Sequence, residues 1–123
     1  MACFLVDFEN GGGNLMNGVS HLNLSRNDEI IIFYSKFASH LTMETHKELE
    51  IIKAKKIYIK VDTGSKNSLD FQLSTYLGAC IQKCPKKKYY IVSKDKGFYS
   101  VCRFWRDNNI FVKRIEHFCN YDV

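Results

Sequence analysis

Three aspartates, Asp7, Asp70 and Asp95, carry the strongest chemical signal in this chain. Asp7 closes the apolar run Phe4-Leu5-Val6-Asp7, and Asp95 follows another in Tyr90-Ile91-Val92-Ser93-Lys94-Asp95. Both are therefore expected to project from the carboxyl ends of β-strands. Asp70 comes after the turn-rich stretch Asp62-Thr63-Gly64-Ser65-Lys66-Asn67-Ser68 and opens a segment in which Leu73 and Leu77 stand at i+3 and i+7 from it. A helix that follows a parallel strand starts at that strand's carboxyl edge, which places Asp70 on the same rim. Two carboxylates ~4 Å apart repel by ~4 kcal/mol at an effective dielectric near ~20. Acids gathered in this way need a shared proton or cation. Mg²⁺ and Mn²⁺ prefer all-oxygen ligands, and phosphate is their usual companion, so the pattern predicts metal-assisted phosphoryl chemistry.

Each acid has a plainer reading on its own. Asp7 could start a turn, Asp70 could cap a helix, and Asp95 before Gly97 could make a loop, so the case rests on their convergence. Asn10, in Asp7-Phe8-Glu9-Asn10, could position a phosphate through its neutral amide, or could cap a turn in Glu9-Asn10-Gly11-Gly12-Gly13. Glu9 is evenly balanced between site and turn. The glycines form neither a P-loop, since no Gly-Lys-Ser/Thr follows, nor a dinucleotide fingerprint.

These residues need a scaffold, and the rest of the chain describes one. Apolar, β-rich runs at 2–6, 29–34, 56–61, 89–92 and 110–114 read as buried parallel strands. Between them, helical spacing links Leu15, Val19 and Leu22; Leu41, Leu49 and Ile52; Leu69, Leu73, Leu77 and Ile81; and Phe98, Val101, Cys102 and Trp105. Strand and helix alternate, which predicts right-handed βαβ crossovers, about five parallel strands and helices on both faces, a three-layer α/β/α fold of the Rossmann-related kind. Ligands in such folds bind outside the carboxyl ends of the strands, where strand order reverses.

Composition sets the bounds. The 123 residues, 46% hydrophobic and 25% charged, suit one domain over 1–123. Collagen, coiled coil and disordered tail are excluded. No apolar run approaches the ~18 to 20 residues that span a bilayer, and the start Met1-Ala2-Cys3-Phe4 lacks a basic leader, so a cytoplasmic, membrane-free protein is expected. Five cysteines, an odd number, are expected as reduced thiols. Cys80 and Cys84 lack a second ligand pair, which argues against zinc. The four histidines are expected at the surface. The net charge of +5 is modest and clustered: Lys53, Lys55, Lys56, Lys60 and Lys66; Lys86, Lys87 and Lys88; and Arg103, Arg106, Lys113 and Arg114. The middle cluster reads as a solvated loop before a strand.

Three stretches in order, 4–10, then 63–73 with Tyr76-Leu77-Gly78, then 90–98, resemble the motifs of the PIN-like ribonucleases, close to their NYN branch. The resemblance implies a five-stranded parallel sheet, acids that bind Mg²⁺ or Mn²⁺, and endonucleolytic hydrolysis of RNA. Asp7, Asp70 and Asp95 match the family's catalytic, metal-binding acids. Asn10, Lys66, Asn67 and Ser93 match positions that contact substrate or support the acids. A further acid is usual after the second strand, and Glu44 and Glu48 compete for that place. The Gly11-Gly12-Gly13 insertion departs from the family pattern. With Lys66, Lys94 and Lys96 at the rim, RNA would be held through its phosphates. Phe8, Phe71 and Phe98 could stack a base, with core the favoured place for Phe71 and Phe98.

Two other readings stay open. One is a catalytically silent RNA-binding or interaction module of the same fold. The other is a receiver-like signalling domain, with Asp62 after the third strand as phosphoacceptor. A homodimer or a regulatory protein partner is compatible with all of them.

Overall fold

A computed structural model describes residues 1–36, 38–62 and 67–121. Five parallel strands form the sheet: β1 (Ala2–Asp7), β2 (Glu29–Tyr34), β3 (Lys55–Lys60), β4 (Lys88–Val92) and β5 (Val112–Ile115), in the order β3-β2-β1-β4-β5. β1, β2 and β4 are the continuous Ile-, Val- and aromatic-rich runs, and their apolar side chains are buried on both faces. β3 and β5 are edges. β3 is accordingly half exposed rather than buried, with Lys55 and Lys60 facing solvent.

One face of the sheet is covered by α2 (Ser68–Lys83) and α3 (Phe98–Asp107). Leu69, Leu73, Leu77 and Ile81 recur at i+4 along α2 and pack with Cys3, Leu5, Ile31 and Phe33 of the sheet. The other face takes α1 (Met43–Ile51), two short 3₁₀ turns at Gly12–Met16 and Val19–His21, and a third at Phe118–Asn120. α1 is capped by Thr42, whose Oγ1 accepts the Thr45 N–H at 3.1 Å. Spacing at Leu15, Val19 and Leu22 predicts a helix, but the segment breaks into the two 3₁₀ turns. The reason is local: Gly11, Gly12 and Gly18 adopt positive φ. At Gly18 an added Cβ would lie 2.5 Å from Cys119 Sγ, so the left-handed backbone and the close approach both require glycine.

The strand order has a chemical consequence. The chain winds from β1 outward to β2 and β3, then α2 carries it back across the sheet to β4 beside β1. Strand order therefore reverses between β1 and β4, and their carboxyl ends open the crevice where ligands bind in such sheets. Among the described residues, no helix is long and apolar enough to cross a membrane.

Candidate active site

Asp7 ends β1 directly at that crevice, opposite Phe33 of β2, and is fully buried. Its Oδ2 accepts two hydrogen bonds, from Asn10 Nδ2 at 2.8 Å and from Ser93 Oγ at 2.7 Å. Its Oδ1 is buried with no hydrogen-bond partner. An unpaired buried carboxylate oxygen is costly, and one retained at a crevice needs an explanation.

Ser93 follows β4 and is also fully buried. Its hydroxyl donates to Asp7 and accepts the Asp95 N–H at 3.0 Å, so one side chain ties the end of β1 to the loop after β4. Its carbonyl accepts Arg114 Nη1 at 2.9 Å, which fastens the same loop to β5. Asp95 Oδ1 in turn accepts the Gly97 N–H at 2.8 Å and shapes the approach to α3. Asp95 is thus a turn residue that stands at the rim.

Asp70 stands in the first turn of α2 and shares a side-chain hydrogen bond with Asp95. Partial burial first, then the Asp7 charge, the Asp95 hydrogen bond and charge, and the Glu9 charge push its carboxyl from the ordinary 3.8 up to about 7. Among the described residues, no Lys or Arg forms an ion pair with any of these acids. Asp70 and Asp95 line an open groove of about 550 Å³ between the starts of α2 and α3, together with Asn67, Phe71 and Phe98. Asn67 holds a left-handed backbone at φ 72°, its carbonyl accepts the Phe71 N–H at 3.1 Å, and its side chain makes no cap bond. Asn67 is exposed.

The sequence matches the PIN domain family over residues 1–115. The chain is a PIN domain. Searches among curated proteins and among solved structures returned no match. PIN domains are generally nucleases that use divalent metal ions and commonly bind RNA, and the five-stranded all-parallel sheet is that of the family.

Whether this PIN domain's residues suit such an ion can be tested on their chemistry. Among the described residues, no three His, Cys, Asp or Glu side chains already stand together as a metal-holding group. Asp7 is fully buried and does not line the groove that holds Asp70 and Asp95. The donors nevertheless fit in kind: all are hard oxygens, Asp7 Oδ1 is unclaimed, and Asp70 and Asp95 keep close company through a hydrogen bond that a cation could replace.

Of the expected site residues, Asp7 is bonded to Asn10 and Ser93, Ser93 also holds the Asp95 N–H, and Asn67, Asp70 and Asp95 line the adjoining groove. Lys66 lies outside the described residues. Lys94 and Lys96 are exposed beside Asp95. Glu44 and Glu48 lie on α1, which packs on the other face of the sheet through Leu49. Glu9, just past β1, is the additional acid whose charge reaches Asp70. Phe98 is core, as expected, but Phe71 is 68% exposed, because it sits two positions from both Leu69 and Leu73, on the side of α2 away from that stripe. The receiver reading fails on topology: its acidic pocket needs β3 beside β1, whereas here β3 is an edge and Asp62 follows it.

One residue escaped the sequence reading altogether. Asp7, Ser35 and Ser93 are the buried polar residues of the described chain, and they stand at or just past the ends of the adjacent strands β1, β2 and β4. Ser35 Oγ, like Asp7 Oδ1, has no partner. The only sequence signal was its place, one residue beyond an apolar strand, since serine by type says nothing.

Proposed function

We propose that this PIN domain is an endoribonuclease that hydrolyses RNA phosphodiester bonds, with Mg²⁺ or Mn²⁺ held by Asp7, Asp70 and Asp95. The observation that carries the reading is that Asp7, Asp70 and Asp95 stand around the carboxyl-terminal rim at the β1/β4 switch point and, among the described residues, form no ion pair with Lys or Arg. A divalent ion, when bound, supplies positive charge that offsets the charge gathering on the phosphate as water adds to phosphorus and a sugar oxygen leaves.

The chain's own residues supply placement. Asn10 and Ser93 occupy Asp7 Oδ2 and fix that carboxylate, which leaves Oδ1 as its unclaimed oxygen. Ser93 is buried, so its part is to hold Asp7 and the Asp95 loop rather than to touch RNA. Asn67, Lys94 and Lys96 are exposed beside the acids and would hold the sugar-phosphate backbone, and Lys66 joins them by its place in the sequence. Phe71, exposed in the groove, offers a face on which a base can stack.

The deciding experiment incubates the purified protein with single-stranded RNA and DNA in Mg²⁺, Mn²⁺ or EDTA, with Asp70→Asn as control. Internal cleavage of RNA that needs metal and disappears in the variant is expected. Full activity in EDTA overturns the metal site, and RNA binding without cleavage under every condition makes this a silent RNA-binding module.

A further inference from the structure

The basic cluster at Arg103, Arg106, Lys113 and Arg114 has no part in the site described above. The fold brings it to one place. Arg103 and Arg106 lie on one face of α3, one and two turns on from Tyr99, while Lys113 and Arg114 come from β5, the edge strand beside it. Together they line a groove of about 440 Å³, with Tyr99 at one end and Asp107 as its single acid. Among the described residues, none of the four cations has an ion-pair partner. A basic residue in a helix's last turn is ordinary, which accounts for Arg106 alone. It does not account for two cations from a different element converging on the same concave surface.

The position relative to the acids is informative. α3 is a partition: Phe98, Ser100 and Val101 line the acid-bearing groove, and Tyr99, Arg103 and Arg106 line the basic one. Phe98 and Tyr99, neighbours in the first turn of α3, each line one of the two grooves. Arg114 reaches from the basic groove to the Ser93 carbonyl, on the loop that carries Asp95. An RNA strand presenting one phosphate to the acids must bring its neighbouring phosphates past the same negative rim, and that repulsion needs compensation nearby. We propose that the α3–β5 groove binds the phosphate backbone of the same RNA strand as it leaves the acidic rim over the start of α3, with Tyr99, 62% exposed, available to stack a base. This extends the nuclease reading and rests on it for the identity of the strand.

The test reads binding in EDTA, so that it does not depend on cleavage. One variant combines Arg103→Ala, Arg106→Ala and Lys113→Ala, all exposed; Arg114 is kept because it anchors Ser93. A control combines Lys53→Ala, Lys55→Ala and Lys86→Ala, which removes the same charge from the opposite, amino-terminal edge of the sheet. Fluorescence anisotropy with a long and a very short single-stranded RNA, across a salt series, gives affinity and salt slope. For the long RNA the groove variant should lose about 2 from the log-log slope, three phosphates at about 0.7 each, while the control keeps it. The very short RNA should bind both variants alike. Equal slopes in the two variants, or an equal loss for long and short RNA, overturns the groove. If the groove variant behaves as expected but the wild type cuts nothing in Mn²⁺, the groove stands and the nuclease reading falls.

Discussion

The two ends of this sheet treat their acids in opposite ways. At the amino-terminal edge Asp28 and Glu29 are satisfied. Asp28 accepts the Ala2 N–H at 2.7 Å and the Ser25 N–H at 2.8 Å, and Glu29 pairs with Lys87. At the carboxyl-terminal edge the charges of Asp7, Asp95 and Glu9 all bear on Asp70, one oxygen of Asp7 has no partner, and no Lys or Arg among the described residues forms an ion pair with them. The strands are the same; only the ends differ. Asp28 and Glu29 at the first edge tie the sheet together, whereas at the second the Asp70 carboxyl is pushed up and one oxygen of Asp7 has no partner.

The comparison breaks most visibly at Asp70. Asp70→Asn should lower RNA cleavage by more than the ~10- to 100-fold that loss of an outer partner costs a metal site. In metal-free protein at pH 8 the same change should raise stability by about 1 to 2 kcal/mol, a figure discounted for partial solvent screening. Glu29→Gln should do the reverse, leaving cleavage intact while lowering stability by about 1 kcal/mol. Cleavage assays and denaturant melts of both variants check this, and a destabilised Asp70→Asn would mean that the carboxyl edge is ordinary structure.

The two edges also differ in pH dependence. Asp70 carries a raised carboxyl value, so the folded state binds a proton more readily than the unfolded chain between about 4 and about 7. Its contribution to stability is fully present below the ordinary 3.8 and is lost as pH rises through about 7. Lys87 is raised by its hydrogen bond to Glu29, so its contribution is lost only in the alkaline range. Metal-free protein should therefore weaken from pH 4 to pH 7, Asp70→Asn should flatten that limb, and Mn²⁺ should restore stability at pH 7 in the wild type alone. Melting curves over pH, with and without Mn²⁺, give the answer.

Between the acids stands Ser93, and Ser93→Ala separates support from chemistry. It removes a donor to Asp7 Oδ2 and the acceptor of the Asp95 N–H, both in buried or half-buried surroundings. A stability loss of about 1 to 3 kcal/mol is expected, with cleavage down ~10- to 100-fold but not abolished. Complete loss of cleavage with no loss of stability would instead put Ser93 in contact with RNA.

What could be read before folding, and what could not, follows the same division of labour. β1, β2, β4 and α2 were legible because burial on two faces demands continuous apolar runs, and burial on one face of a helix demands the Leu69, Leu73, Leu77, Ile81 stripe. Asp7, Asp70 and Asp95 were legible because each sits at a punctuation point of those patterns. Strand order was not, since a local pattern carries no record of its neighbours, and order is what excludes Asp62 from the crevice. Ser35 was invisible because its signal is burial, a property of the fold. Phe71 misled because an aromatic beside a helical stripe resembles the stripe, and 3₁₀ turns at Gly12–Met16 and Val19–His21 misled because apolar spacing outvoted glycine.

The smallest effect sharpens the amino-terminal side of the comparison, at Lys86, Lys87 and Lys88. As a run of like charge it reads as one solvated loop, but the three side chains have different surroundings. Lys87 is mostly buried and paired with Glu29, Lys88 Nζ lies 5.5 Å from the centre of the Phe111 ring, and Lys86 is exposed. Lys87→Ala leaves a half-buried carboxylate without its cation and should cost about 1 kcal/mol. Lys88→Ala gives up an exposed cation–π contact, about 0.5 kcal/mol. Lys86→Ala should stay within about 0.5 kcal/mol of wild type. None of the three should alter cleavage, because all lie at the edge remote from Asp7. Equal effects for the three would restore the solvated-loop reading and weaken the contrast between the edges. A graded series with unchanged cleavage would show instead that pairing at the amino-terminal edge stabilises the sheet on which the strained carboxyl edge depends.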